Sequence, residues 1–153
     1  MNFLDLKIPP VAVVLCAGSL MGVAARLLPA GDVELPVRTF LAIPCAAIGG
    51  VASILGVIEF RRARTTVNPT TPAATSSLVR SGIYSLTRNT MYLGFFLILC
   101  GWAIVLGNAL VFPFLPLFIL YMNRFQIQPE ERALTESFGT VFTGYTARVR
   151  RWI

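Results

Sequence analysis

The feature that most constrains this chain is a run of 32 residues, 91–122, without a single charged side chain. As one straight helix at about 1.5 Å per residue it would reach about 48 Å, well beyond the ~30 Å of a hydrocarbon core. Gly107 and Asn108 mark a turn in its middle, and Pro113 and Pro116 follow. The run therefore reads as two short antiparallel helices. Each is short for a full crossing, so the hairpin is expected to tilt or to sit beside a locally thinned or wet region.

Two further apolar stretches precede it. Residues 8–28 carry Pro9 and Pro10 near the start and Arg26 near the end, with Pro29, Gly31 and Asp32 breaking the helix after them. This stretch is too long for the apolar part of a signal peptide and lacks a clear small-x-small cleavage site, so it reads as a retained span. Residues 39–58 form a second uncharged run containing Pro44, Gly49 and Gly50. Those glycines either admit a neighbouring helix closely or are merely tolerated against lipid. Charged residues make up only 13% of the chain, about half the roughly 25% of a soluble domain, so lipid must be the solvent for much of its surface.

Residues 59–88 are polar and read as a loop with short ordered pieces. Residues 129–138 read as a helix, with Pro129 in the first position, Glu130 and Glu131 at its positive end and Gly139 at its exit. Leu134 and Phe138, four apart, share a face of it. The expected fold is all-α: a polytopic membrane protein of about four transmembrane helices, the last two a short hairpin, plus a cytoplasmic C-terminal helix. The length suits one membrane domain spanning residues 1–153, with two spans in residues 1–59.

Of the 13 Lys and Arg residues, only Arg26 and Arg38 fall on the outer side if the first span runs outward. The other eleven fall on the inner side, so both termini are expected to be cytoplasmic. The net charge of +6 lacks the basic stripe with interleaved aromatics that a nucleic-acid partner would need. Cys16, Cys45 and Cys100 lie far apart inside apolar runs, and the chain has no His, so no metal site is expected. Nothing in the sequence speaks to oligomeric state.

Most polar functional groups belong to two inner-side segments, residues 60–94 and 128–152. One holds Leu78, Val79, Gly82, Tyr84, Arg88, Asn89, Thr90, Met91, Tyr92, Leu93 and Gly94 at the entrance to the third span. Gly94 can leave room for a ligand or another backbone. Equally, this is an Asn cap, an interfacial Arg and Tyr, and a packing Gly. In the other, Glu130 and Glu131 either hold a cationic group or complement a helix dipole. Arg148, Arg150, Arg151 and Trp152 have the makings of a lipid-phosphate anchor.

Taken in order, these blocks resemble the isoprenylcysteine carboxyl methyltransferase and phospholipid methyltransferase superfamily. The resemblance rests on Phe60, Arg61, Arg62 and Ala63 with Thr65 and Pro69, and on Leu78, Val79, Gly82, Tyr84, Arg88, Asn89, Met91, Tyr92, Leu93 and Gly94. After the charge-free hairpin come Glu130, Glu131, Leu134, Phe138, Gly139, Tyr145, Val149, Arg151 and Trp152. It covers residues 60–153 and is closest to the bacterial members. Three departures stand out. Thr90 replaces a usual Pro, Arg64 a usual Gly, and Phe142 a Tyr. Asn89 stands where the eukaryotic carboxyl methyltransferases have His, which leaves the substrate open.

The resemblance implies S-adenosylmethionine as cofactor, bound on the cytoplasmic side of a bacterial inner membrane. Glu131, with Glu130 beside it, would hold its ammonium or ribose hydroxyls, and Arg88 its carboxylate. Leu78, Val79, Met91 and Leu93 would wall the adenine, with Gly82, Tyr84 and Asn89 in the same constellation. Tyr92 would lie near the sulfonium, and Gly94 would give the cofactor space. A lipid-like acceptor would arrive sideways from the membrane. Arg151 or Arg150 would steer it if it is a carboxylate, and a carboxylate or water near Glu131 would take a proton from an amine. A nicotinamide-dependent reductase and a non-enzymatic scaffold are the competing readings. A channel is disfavoured, because the spans carry almost no polar groups.

Overall fold

The computed structural model describes residues 5–28, 35–65 and 75–153. Pro29, Gly31, Asp32 and Pro69 lie outside the described residues. Among the described residues there is no strand, and six α-helices make up the fold.

Helix α1, Pro10–Leu27, opens with Pro10 in its first turn, where a missing N–H is harmless. Helix α2, Leu35–Arg62, is longer than the expected residues 39–58. At 1.5 Å per residue its 28 residues reach about 42 Å, so its polar end with Glu59, Arg61 and Arg62 stands clear of a ~30 Å apolar core. Helix α3, Thr90–Leu106, runs antiparallel to α2: Arg38 donates to the Leu106 carbonyl, Cys45 to Leu97, and Ser53 to Met91. Gly49 and Gly94 face each other across this contact, and a side chain at either would run into the opposite helix. Gly50 has open space around it. Of the two adjacent glycines, only Gly49 serves packing.

Gly107 turns the chain after α3 with a left-handed backbone (φ +61°), the conformation glycine adopts without cost. Asn108 then ties the turn to α1, donating to the Leu28 carbonyl at 2.6 Å while accepting from the Leu110 amide. Trp102 fastens α3 to α1 through the Gly18 carbonyl.

Beyond the turn, the expected second short helix and separate C-terminal helix are one rod. Helix α4, Phe114–Tyr121, passes through a wide π turn, Met122–Ile127, into α5, Gln128–Phe138, with helical backbone angles at both joints. Pro129 therefore starts no helix, and Glu130 and Glu131 sit at no free N-terminus. The π turn is where the proline is accommodated. The Gln128 amide reaches back five residues to Asn123, and the Phe125 carbonyl, which a residue-129 amide would have taken in an α-helix, accepts instead from the Leu6 amide at 3.0 Å. The rod is free of charge up to Arg124 and polar from there on, so the part of it suited to lipid ends there. Gly139 (φ +52°) ends α5, and α6, Thr140–Thr146, follows.

Among the described residues, three helical stretches contain a window long and apolar enough to cross a membrane: Pro10–Leu27, Val37–Arg62 and Ala109–Phe138. Helix α3, with 17 residues and about 26 Å, is shorter, as the hairpin reading expects. The buried core is a seam of Met21, Leu99, Ala103, Val111, Phe118 and Met122 joining α1, α3 and α4. It leads down to Tyr92 and Ile127 and so to the polar end of the bundle.

Candidate functional site

At that end the helical rod presents Glu130 and Glu131 about 100° apart around the α5 axis, so adjacent carboxylates meet different partners. Glu130 accepts a hydrogen bond from the Tyr92 hydroxyl at 3.1 Å. Glu131 lies between two arginines: Arg88 Nη1 is 2.9 Å from Oε1, and Arg151 binds in fork geometry through Nη2 at 2.6 Å and Nε at 3.2 Å. The three side chains are only partly exposed, so these pairs are less screened than surface ion pairs.

Backbone contacts over long sequence separations bring Arg88 and Arg151 there. Asn89 does not cap α3; its amide nitrogen donates to the Arg151 carbonyl at 2.9 Å, and the Thr87 hydroxyl donates to the same oxygen. The Arg88 amide donates to the Arg150 carbonyl. The Tyr145 hydroxyl donates to the Tyr84 carbonyl at 2.6 Å, and the Trp152 indole to Asn123 in the π turn. Trp152 and Arg151 are thus built into the site, whereas the side chain of Arg148 stays exposed and donates locally to the Gly144 carbonyl. Thr90 is the first residue of α3 and fully buried, its hydroxyl donating to the Thr87 carbonyl.

Two cavities adjoin the Glu131 cluster. A narrow one of about 50 Å³ is walled by Leu78, Val79, Tyr84, Asn89, Leu134 and Tyr145, with Phe60, Thr75, Ile127 and Glu130 completing it. A wide cleft of about 990 Å³, lined by Arg124, Gln128, Arg132, Thr135 and Glu136 among others, opens to solvent. Arg88, Glu131 and Phe142 belong to both. Burial pushes the Glu130 carboxyl up to about 7, with the Glu131 charge adding to the shift and the Tyr92 hydrogen bond opposing it. Burial likewise raises Tyr145 to about 12 and holds the Tyr84 hydroxyl far above its usual value. Neither tyrosine is an acid or base near neutral pH.

The structure therefore gathers Leu78, Val79, Tyr84, Arg88, Asn89, Glu130, Glu131 and Arg151 at one place, with Tyr92 reaching it through Glu130. The remaining candidates stand elsewhere. Gly94 makes no room for a ligand, because α2 fills the space over it with Ser53 and the Gly49 backbone. Met91 lies against Gly56 of α2. Gly82 (φ +58°) lets the chain pass close to Glu59, which also accepts from Ser81. Leu93 lines neither cavity, and Arg150 contributes its carbonyl. Phe142, Gln128, Arg124 and Arg132 were not expected. Leu134 lies one turn beyond Glu130 and Glu131, the spacing that puts residues on one helix face.

The phospholipid methyltransferase family matches residues 37–141 of this chain, more than half of it. The chain belongs to that family. This makes it an integral membrane protein of a methyltransferase family, with α2, α3 and the carboxylate pair inside the shared region. Helix α1, Tyr145 and Arg151 lie outside it. A protein of Haemophilus influenzae (strain ATCC 51907 / DSM 11121 / KW20 / Rd), described as uncharacterized, is 44% identical over 63 residues, which is 41% of this chain and 100% of the relative. No solved structure matches.

Proposed function

We propose that the chain transfers a methyl group from S-adenosylmethionine to a lipid-like, amphiphilic acceptor, an amine or a carboxylate, at the cytoplasmic face of a bacterial inner membrane. The observation that carries this reading is Arg88. Its Nη1 is held by Glu131, while its Nε is buried without a hydrogen-bond partner among the described residues, on the wall shared by both cavities. A buried, unsatisfied guanidinium donor is costly, and a ligand carboxylate satisfies it.

The residue types fit the rest of such a cofactor. Glu131 supplies negative charge for an ammonium, and Leu78, Val79 and Phe142 supply an apolar wall. The narrow pocket alone is too small for a nucleoside-sized ligand, but the wide cleft, which shares Arg88, Glu131 and Phe142 with it, is about as large as ligand sites usually are. The cofactor would supply an activated methyl group on a positive sulfonium. The chain's own contribution is positioning and exclusion of water. Arg151 orients a carboxylate acceptor; for an amine acceptor, Glu130 holds a carboxyl poised near neutrality to take the proton. The concentration of Lys and Arg at the site's end of the bundle supports a cytoplasmic placement with both termini inside.

Titration calorimetry with S-adenosylmethionine and S-adenosylhomocysteine in mild detergent tests this. Saturable binding is expected, weakened at least about 30-fold by Glu131→Ala, which leaves Arg88 and Arg151 unpaired (about 2 kcal/mol or more). Folded, monodisperse protein that binds neither compound would overturn it.

A further inference from the structure

The N-terminal segment, residues 5–8, lies outside the region shared with the family, yet it grips the rod immediately before the carboxylate pair. Asp5 is buried, its side chain 1% exposed, between Arg132 at 3.2 Å and Arg124 at 3.7 Å. Leu6 is held in a left-handed conformation (φ +59°), unusual for a residue with a branched side chain, and its amide satisfies the Phe125 carbonyl. The fully buried Gln126 donates to the Ile8 carbonyl at 2.5 Å. All these grips fall on the π turn or within the first turns of α5.

A π turn inserts one residue into the helical register, which rotates everything after it by about 100° relative to an uninterrupted α-helix. That rotation decides whether Glu130 or its neighbour meets Tyr92, and whether Glu131 faces Arg88 and Arg151. A wide turn is less stable by itself than the α-helix it interrupts, so something must hold it. Leu6 supplies a donor for the carbonyl that Pro129 leaves open, and Asp5 clamps one arginine within the turn to another beyond it. Local strain of the kind seen at Leu6 persists only where surrounding contacts over-determine it.

We propose that residues 5–8 are a strap that fixes the rotation of α5 and so aims Glu130 and Glu131 into the site, with Asp5 as its positioning residue. The consequence for ligand binding rests on the cofactor reading above; the mechanical part does not.

Two measurements on the full chain in detergent separate them. Hydrogen exchange without ligand is expected to quicken over residues 122–132 in Asp5→Asn, with α2 and α3 unchanged. S-adenosylmethionine affinity is expected to fall roughly fivefold to tenfold, within the usual range of coupling between sites. Asp5→Glu, which keeps the charge, should recover most of both losses; a merely space-filling role would not be rescued this way. If Asp5→Asn does not fold, Arg132→Gln removes the same pair from its exposed side and is read by exchange alone. Exchange and affinity identical to wild type would overturn the strap. Exchange that quickens in a protein whose wild type binds no S-adenosylmethionine would keep the strap and sink the cofactor reading.

Discussion

The α2–α3 pair and the polar end of the bundle are held together by opposite means. Along α2 and α3 the backbones approach wherever side chains are missing, at Gly49, Gly94 and Gly101, and the few hydrogen bonds run from Arg38, Cys45 and Ser53 to carbonyls. At the polar end, pieces from residues 5–8, 84–92, 123–132 and 145–152 meet through ion pairs and backbone hydrogen bonds spanning up to 127 residues. The difference follows from the solvent on each side. Lipid offers helices no hydrophobic drive to associate, so close steric fit does the work there. Water at the other end rewards burial and screens charge, so exposed pairs count for little and the half-buried ones around Glu131 for more.

The sharpest way to break this comparison is to add one carbon. Gly94→Ala places a methyl group against Ser53 and the Gly49 backbone, and should cost about 1–3 kcal/mol, seen as a lower thermal midpoint in detergent. Gly50→Ala, with no described residue close enough to clash, should leave the midpoint unchanged or raise it slightly. Equal effects at the two sites would mean that the helices are not held by close approach.

A second effect should appear only at the polar end, as a dependence on pH. The Glu130 carboxyl is raised from about 4.5 to about 7 in the folded chain. Between those values the folded state binds more protons than the unfolded one, so this group's contribution lowers stability as pH rises through the window. Midpoints measured from pH 5 to 8 should fall more steeply for wild type than for Glu130→Gln. Parallel curves would place the Glu130 side chain in water.

The smallest effect runs the other way. Arg64 occupies a left-handed position (φ +50°) just after α2, a conformation that glycine adopts without cost. Arg64→Gly should stabilise by about 0.5–1 kcal/mol, the conformational strain relieved less the added freedom of the unfolded chain, and thermal melting would register it.

Much was legible from residues alone. Charge-free runs located α1, α2 and the hairpin, and Gly107 with Asn108 marked the turn, because lipid solvation and left-handed backbone both act through local composition. Arg88, Glu131 and Arg151 could be named as candidates through the order of their motifs. Their mutual contact could not, since Glu131 and Arg151 sit 20 residues apart with a whole helix, α6, between them. Pro129 misled for a physical reason: proline fits the first turn of a helix, but it also fits a π turn whose freed carbonyl finds a donor elsewhere. That donor, the Leu6 amide, is more than a hundred residues away and carries no sequence signal.

The sequence by itself thus determined that this chain is helical, that lipid surrounds much of it, and that its polar candidate side chains crowd one end. Those properties depend on which residues are neighbours along a helix and on where charges may stand. Tertiary structure alone decided that α4 and α5 form one rod, that Gly94 packs helices, and that Asp5 reaches the far end of the chain. Each of these depends on a donor, a partner or an empty volume supplied by a distant segment, and no local pattern encodes such a partner.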